Sequence, residues 1–163
     1  MEQETQKEPY IALLEDSLEK KCKLLDSLYE SSKEQETLFN EDNINEELFN
    51  RIIEDKDKLI QIIIKLDAGF ELIYQRVKDE LSINPTKYKN EIMKIQSLVS
   101  DVTDKGIQLQ VIEKRNKLKI EDYFRTKRKD IKDFKISNQS ATNYYKNMAD
   151  QNQQQAYFFD KKN

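Results

Sequence analysis

The sequence predicts an all-α fold: an elongated antiparallel bundle of three long helices with a largely disordered or weakly helical C-terminal tail. The chain has 163 residues but only 2 glycines and 2 prolines, too few for the many tight turns of a strand-rich fold. Charged residues make up 36% of the chain, a proportion typical of long amphipathic helices. Apolar residues recur at alternating intervals of three and four, which places them along one seam of each helix.

The first predicted helix extends from about residue 9 to residue 39. Pro9 suits its first turn, where the missing N–H would have no partner in the helix. From Glu30 to Thr37 the side chains are almost all polar, so we expect that end of the helix to be weakly packed or exposed. The inner face before it carries apolar residues at helical spacing: Ile11, Leu14, Leu18, Cys22, Leu25 and Leu28.

The second predicted helix extends from about residue 45 to residue 81. Asn45 is a suitable N-cap, and Glu46 and Glu47 place negative charge in the first turn, where it complements the helix dipole. The seam of this helix is the most regular in the chain: Leu59, Ile63, Leu66, Phe70, Ile73, Val77 and Leu81.

The third predicted helix extends from about residue 85 to residue 131, with Asn84 as its N-cap and Pro85 as its first residue. Together with the second helix it would form a long helical hairpin. Gly106 indicates either the close approach of a bulky residue from the facing helix or a point where the helix bends. The seam again follows the alternating spacing: Ile92, Ile95, Val99, Val102, Gly106 and Leu109.

The seam of the third helix changes character beyond Gly106. Its heptad extension carries Glu113 and Asn116, so the inner face weakens, while apolar residues appear on a different face. Either another helix of the same bundle covers this displaced stripe, or the stripe is offered to a partner helix. We predict partner docking at the stripe and at the apolar residues near the helix end: Ile107, Val111, Leu118, Ile120, Tyr123, Phe124 and Ile131.

The chain divides into a helical domain over residues 1–131 and a polar tail over residues 132–163. The tail is rich in Asn, Gln and Ser, a composition that cannot build a core. Its end carries three consecutive aromatic residues, which reduce solubility unless something covers them. We predict that Tyr157, Phe158 and Phe159 form a short docking motif or cover the exposed stripe.

The residue types present do not favour catalysis. The chain has no histidine, which excludes Ser-His-Asp and Cys-His nucleophiles as well as His-containing di-metal sites. Cys22 is the single cysteine, too few for zinc, and its position on the seam predicts a small buried apolar side chain. The isolated glycines form no phosphate-binding loop. We therefore expect a non-enzymatic protein with no cofactor and no metal site.

Charge and hydropathy indicate a cytoplasmic protein that does not insert into membranes. Residues 1–9 are polar and acidic, unlike a signal peptide, and the longest apolar run is too short to cross a bilayer. Residues 1–60 carry 17 acidic and 8 basic side chains, so this half can pair with the more basic remainder or attract a basic partner.

A basic segment leaves nucleic-acid binding as a remote alternative. Six basic residues lie between Arg125 and Lys135, but a solvated helix end explains them better, because cations there complement the helix dipole and the chain as a whole is acidic. We therefore expect no nucleic-acid partner.

Several segments between about Tyr10 and Ile131 resemble the FlgN-like flagellar export chaperones. In that family the first helix carries Leu every three or four residues and ends in a Glu-rich stretch, and a Lys precedes the Leu ladder of the second helix. The FliT-type flagellar chaperones, also small helical bundles, are a close neighbour. The matching positions are Leu18, Leu25, Leu28, Glu34, Glu36 and Leu38, then residues 54–59 and 66–71, then Gln110, Arg115 and Asn116.

The resemblance implies a cytoplasmic chaperone of flagellar type III export. Such a chaperone binds hook-associated subunits of the hook–filament junction, prevents their premature assembly and delivers them to the export gate. An amphipathic helix of the chaperone would cover an amphipathic helix of its client. The alternative from the residues themselves is a structural coiled coil or adaptor that self-associates, for example as a homodimer.

Overall fold

The computed structural model describes residues 8–127 and confirms the all-α prediction. It contains three helices, α1 (Glu8–Leu38), α2 (Glu46–Ile83) and α3 (Lys89–Lys127), and no strand within the described range. The helices have 31, 38 and 39 residues, so each is roughly 45–60 Å long. The predicted tail and its aromatic end lie outside the described residues.

Pairs of side chains between helices define how the three helices align. Gln35 on α1 meets Lys56 on α2, whereas Lys21, nearer the start of α1, meets Asp67 further along α2, so α1 and α2 are antiparallel. The pairs Glu15–Lys94 and Asp26–Lys105 show that α3 runs parallel to α1. Since α1 and α2 are antiparallel, α3 is also antiparallel to α2. The closest helix approaches are those of α1 with α2 and of α1 with α3. The helix α1 therefore packs along both other helices, whereas α2 and α3, the predicted hairpin, approach each other less closely.

The buried apolar residues form two separate clusters. The first, which we call the larger core, joins the seams of all three helices and contains fully buried residues such as Leu25, Ile63 and Ile95. Gly106 is also buried, and α3 continues through it. The second cluster lies at the end of the bundle where α1 meets α2 and α3 ends. We call it the end core, and its buried members are Leu38, Ile44, Phe49, Ile52, Ile120 and Phe124.

Asn45 caps α2 as predicted, whereas the start of α3 differs from the prediction. The Asn45 side chain accepts a hydrogen bond from the Leu48 N–H at 3.1 Å. Asn84 is the C-cap of α2 and not the N-cap of α3, because its backbone N–H and its side-chain amide both donate to Glu80. Pro85 disfavours helical backbone at Asn84, so a turn over residues 85–88 precedes Lys89.

Candidate partner-docking surface and buried polar layer

Three of the predicted docking residues lie together on the solvent face of α3. Ile107, Val111 and Leu118 keep 52%, 53% and 55% of their surface exposed. Their spacing of four and seven residues places them on one side of the helix. No other helix within residues 8–127 covers them, so the interpretation of a stripe buried within the same bundle does not hold for the described chain. We call these three residues the docking stripe.

The other predicted docking residues lie elsewhere. Ile120 and Phe124 are only 2% and 5% exposed and belong to the end core, which corrects their assignment to an accessible surface. Tyr123 is half-buried against the same core, and its hydroxyl accepts a hydrogen bond from the Ile44 N–H at 3.4 Å. Ile120 is buried because it continues the α3 seam, seven residues after an inward-facing position. Ile131 lies outside the described residues.

Between the larger core and the end core lies a layer of five buried polar side chains, which we call the polar layer. The Lys56 ammonium pairs with the Glu113 carboxylate, and the same carboxylate oxygen accepts a hydrogen bond from the Ser32 hydroxyl. Lys56 Nζ also donates to Gln35 Oε1 at 3.0 Å. Asn116 Nδ2 donates to the Ser32 carbonyl at 2.9 Å. All five residues are at most 6% exposed.

One side-chain atom of this layer has no hydrogen-bond partner within residues 8–127. Asn116 Oδ1 is buried, and nothing within residues 8–127 donates a hydrogen bond to it. A buried acceptor without a donor costs about 1–3 kcal/mol of folding free energy. A buried ion pair contributes little net stability because desolvation offsets its Coulomb attraction. The polar layer therefore joins the two cores less strongly than an apolar layer of the same size would.

The polar layer corrects the expectation that the segment Glu30–Thr37 is exposed. Ser32 and Gln35 are completely or almost completely buried. The signal was present in their spacing, since they continue the alternating intervals of Leu25 and Leu28. The polarity of the segment hid this position, because polar residues on a seam are buried only when partners from other helices meet them.

A second buried cation lies within the span of the larger core. Lys21 is 5% exposed and its Nζ lies 2.7 Å from the Asp67 carboxylate. Burial raises the pKa of Asp67 above its ordinary value, an effect that the positive charge of Lys21 opposes. Burial likewise raises the pKa of the neighbouring Cys22 thiol, which packs partly buried against the larger core. A raised pKa is typical of a structural cysteine of low reactivity.

Ion pairs on the surface connect the acidic first helix with the basic third helix, as the uneven charge distribution allowed. Exposed pairs of this kind stabilise a fold by at most about 1 kcal/mol each. In the basic segment that begins at Arg125, the Arg125 side chain pairs with Asp122, and residues 128–135 lie outside the described chain. The pairs between α1 and α3 are Glu15–Lys94 at 3.2 Å, Asp26–Lys105 at 2.6 Å and Glu36–Arg115 at 3.3 Å.

Within residues 8–127 no group of three or more Cys, Asp or Glu side chains is placed to hold a metal ion. None of the three described helices combines the length and apolarity needed to cross a membrane. No known protein family matches the sequence, and no curated protein or solved structure is significantly similar to it. The molecule is thus defined by its own features as a helical bundle with an exposed apolar stripe and a polar layer in its core.

Proposed function

We propose that this protein is a cytoplasmic flagellar export chaperone and that it binds an amphipathic helix of a hook–filament junction subunit along the docking stripe. The observation that carries the proposal is the exposure of Ile107, Val111 and Leu118 on one face of a long helix. The segments that resemble the FlgN-like chaperones support it. The role would be binding: the chaperone keeps the subunit unassembled and delivers it to the export gate.

The size of the stripe indicates a modest contribution to affinity. Complete burial of a Val, Leu or Ile side chain contributes about 1.5–3 kcal/mol, and roughly half of each stripe residue is already covered. Covering the rest of the three residues therefore contributes about 3 kcal/mol. A dissociation constant of 1 mM already requires about 4 kcal/mol. A stable complex needs further contacts beside the stripe, whereas release at the export gate benefits from each contact being weak.

The proposal is tested by placing charge on the stripe. We expect Val111→Asp with Leu118→Asp to abolish co-purification with co-expressed hook–filament junction proteins from the same genome, because a docked helix would bury two carboxylates. Both positions are exposed, so far-UV circular dichroism should stay helical. The matched control is Leu72→Asp on α2, which is 71% exposed and should leave co-purification intact. Unchanged co-purification of the double variant would overturn the proposal.

A second candidate function is self-association as a structural coiled coil or adaptor. It is favoured by exposed apolar residues on α2, namely Ile62, Ile64 and Leu72. Sedimentation velocity over a range of concentrations distinguishes the two functions. A dimer that dissociates to monomers in the Ile62→Asp, Leu72→Asp double variant supports self-association. A monomer at every concentration argues against it.

A further inference from the structure

We propose that the polar layer is the boundary of a local unfolding unit. The end of the bundle beyond the layer opens and closes as a unit while the larger core stays folded. The opening unit consists of the last turn of α1, the first turns of α2 and the part of α3 that follows Asn116. The proposal concerns the chain alone and holds whatever partner it has.

The first step is that the end beyond the layer is small. Among the described residues, seventeen buried apolar side chains form the larger core, whereas six form the end core. The end core also includes the turn between α1 and α2, since Ile44 from that turn is one of its members. Apolar burial is the main source of stability, so the end has much less of it to lose when it opens.

The second step is that the layer separates the two cores on all three helices. Ser32 and Gln35 interrupt the apolar seam of α1, Lys56 interrupts that of α2, and Glu113 and Asn116 interrupt that of α3. Opening at this height lets water reach the Lys56–Glu113 pair, and hydration replaces much of what the pair loses. It also hydrates Asn116 Oδ1, to which no group of residues 8–127 donates a hydrogen bond in the closed bundle. The layer therefore resists opening less than an apolar layer would.

The third step is a small notch in the closed end core. Aromatic rings line it, and the rings pack edge to face, with Tyr123 and Phe124 centroids 5.3 Å apart and Phe39 and Phe49 centroids 6.0 Å apart. Ile44 and Glu46 complete its wall. A gap at this position reduces the dispersion energy that packing contributes to the end core.

Opening has a consequence for binding that rests on the proposed function. Val111 lies just before Glu113 and Leu118 lies just after Asn116, so the docking stripe has residues on both sides of the polar layer. An opened end exposes Ile120 and Phe124 on the inner side of the same helix. These residues lie on the side of α3 opposite the stripe, so a second segment of the client, and not the helix held by the stripe, would find there the additional apolar surface that stable binding requires.

The test is native-state hydrogen exchange of the full chain. We expect backbone amides in residues 49–55 and 117–124 to exchange at least tenfold faster than those in residues 60–70 and 95–109. At low concentrations of urea, the free energy of the opening that exposes the end amides should depend only weakly on urea. The reason is that this opening exposes less surface than global unfolding does. Protection that agrees within threefold in all four segments would overturn the proposal.

A variant with an apolar layer tests the cause. Replacing all five members removes every buried polar side chain of the layer at once, and we expect exchange at the end to slow at least tenfold toward that of the larger core. The matched control replaces buried Lys21 and its half-buried partner, by Lys21→Met with Asp67→Leu, and should leave the ratio of exchange rates between the end and the larger core unchanged. If amide exchange in the layer variant slows equally in the end and in the larger core, the proposal is contradicted. The layer variant is Ser32→Ala, Gln35→Leu, Lys56→Met, Glu113→Leu and Asn116→Leu.

If the layer variant does not fold, the comparison of the four segments in the unmodified chain decides the opening by itself. The binding consequence is tested separately, by co-purification of the folded layer variant with the junction proteins. If the variant no longer opens but still co-purifies with the junction proteins, opening does not contribute to client binding, and the local opening at the polar layer is still supported. Loss of co-purification in the stripe variant bears only on the proposed function.

Discussion

Removing the charge of Lys56 should destabilise the bundle far more than removing a surface lysine. Lys56 and Glu113 are 5% and 6% exposed, so Lys56→Met leaves a buried carboxylate whose remaining donor is the Ser32 hydroxyl. Breaking a buried ion pair in this way costs about 3–5 kcal/mol of unfolding free energy. The measurement is urea unfolding at neutral pH, followed by far-UV circular dichroism. Lys20→Met is the control, because its pair with Asp16 is exposed and contributes at most about 1 kcal/mol.

The second half of this experiment restores charge balance. Adding Glu113→Leu to Lys56→Met removes the uncompensated carboxylate, and the double variant should recover most of the loss, since apolar replacement of a buried pair is often neutral or stabilising by about 1–4 kcal/mol. The reasoning is refuted if Lys56→Met costs no more than Lys20→Met. It is also refuted if the double variant is as unstable as the single variant, because the loss would then come from packing and not from an unpaired charge.

Two further predictions concern α2. Asn45→Ala should cost about 1 kcal/mol in urea unfolding because the Leu48 N–H loses its acceptor, whereas Asn50→Ala at an exposed site of the same helix should cost nothing; equal effects would contradict the capping role. The raised pKa of Asp67 means that the folded chain binds more protons than the unfolded chain at pH values just above 3.8, so this group lowers the free energy of unfolding as pH rises through that range. The Asp67→Asn variant should lack this pH dependence in a pH series of urea-unfolding midpoints. An unchanged pH dependence would count against a raised pKa.

The helices could be predicted from the sequence because apolar spacing and local capping depend on neighbouring residues. The seam through Ile63 and Val77 is buried as predicted, and Asn45 caps α2 as predicted. The start of α3 could not be placed in the same way. Asn84 can cap either the helix before it or the helix after it, and its hydrogen bonds to Glu80 decide for the former.

The polar layer could not be predicted because its members satisfy one another only in the folded chain. Lys56 and Glu113 are 57 residues apart, and Ser32 and Glu113 are 81 apart. Taken alone, each reads as a solvent-exposed residue. For the docking site, spacing separated Ile107, Val111 and Leu118 correctly onto an outer face. The grouping of Ile120 and Phe124 with them followed residue type and proximity along the chain, which do not determine the side of a helix.

The polar layer also favours one register of the three helices, beside the short connections that join them. Seams that repeat every seven residues can slide past each other by one heptad and still match apolar against apolar. A slide of α2 by one heptad would place Lys56 among apolar side chains and bring Phe49 or Ile63 opposite Glu113, leaving two buried charges without partners. Only the observed alignment brings the ammonium and the carboxylate together. We therefore expect the layer to favour the observed register over registers displaced by one heptad.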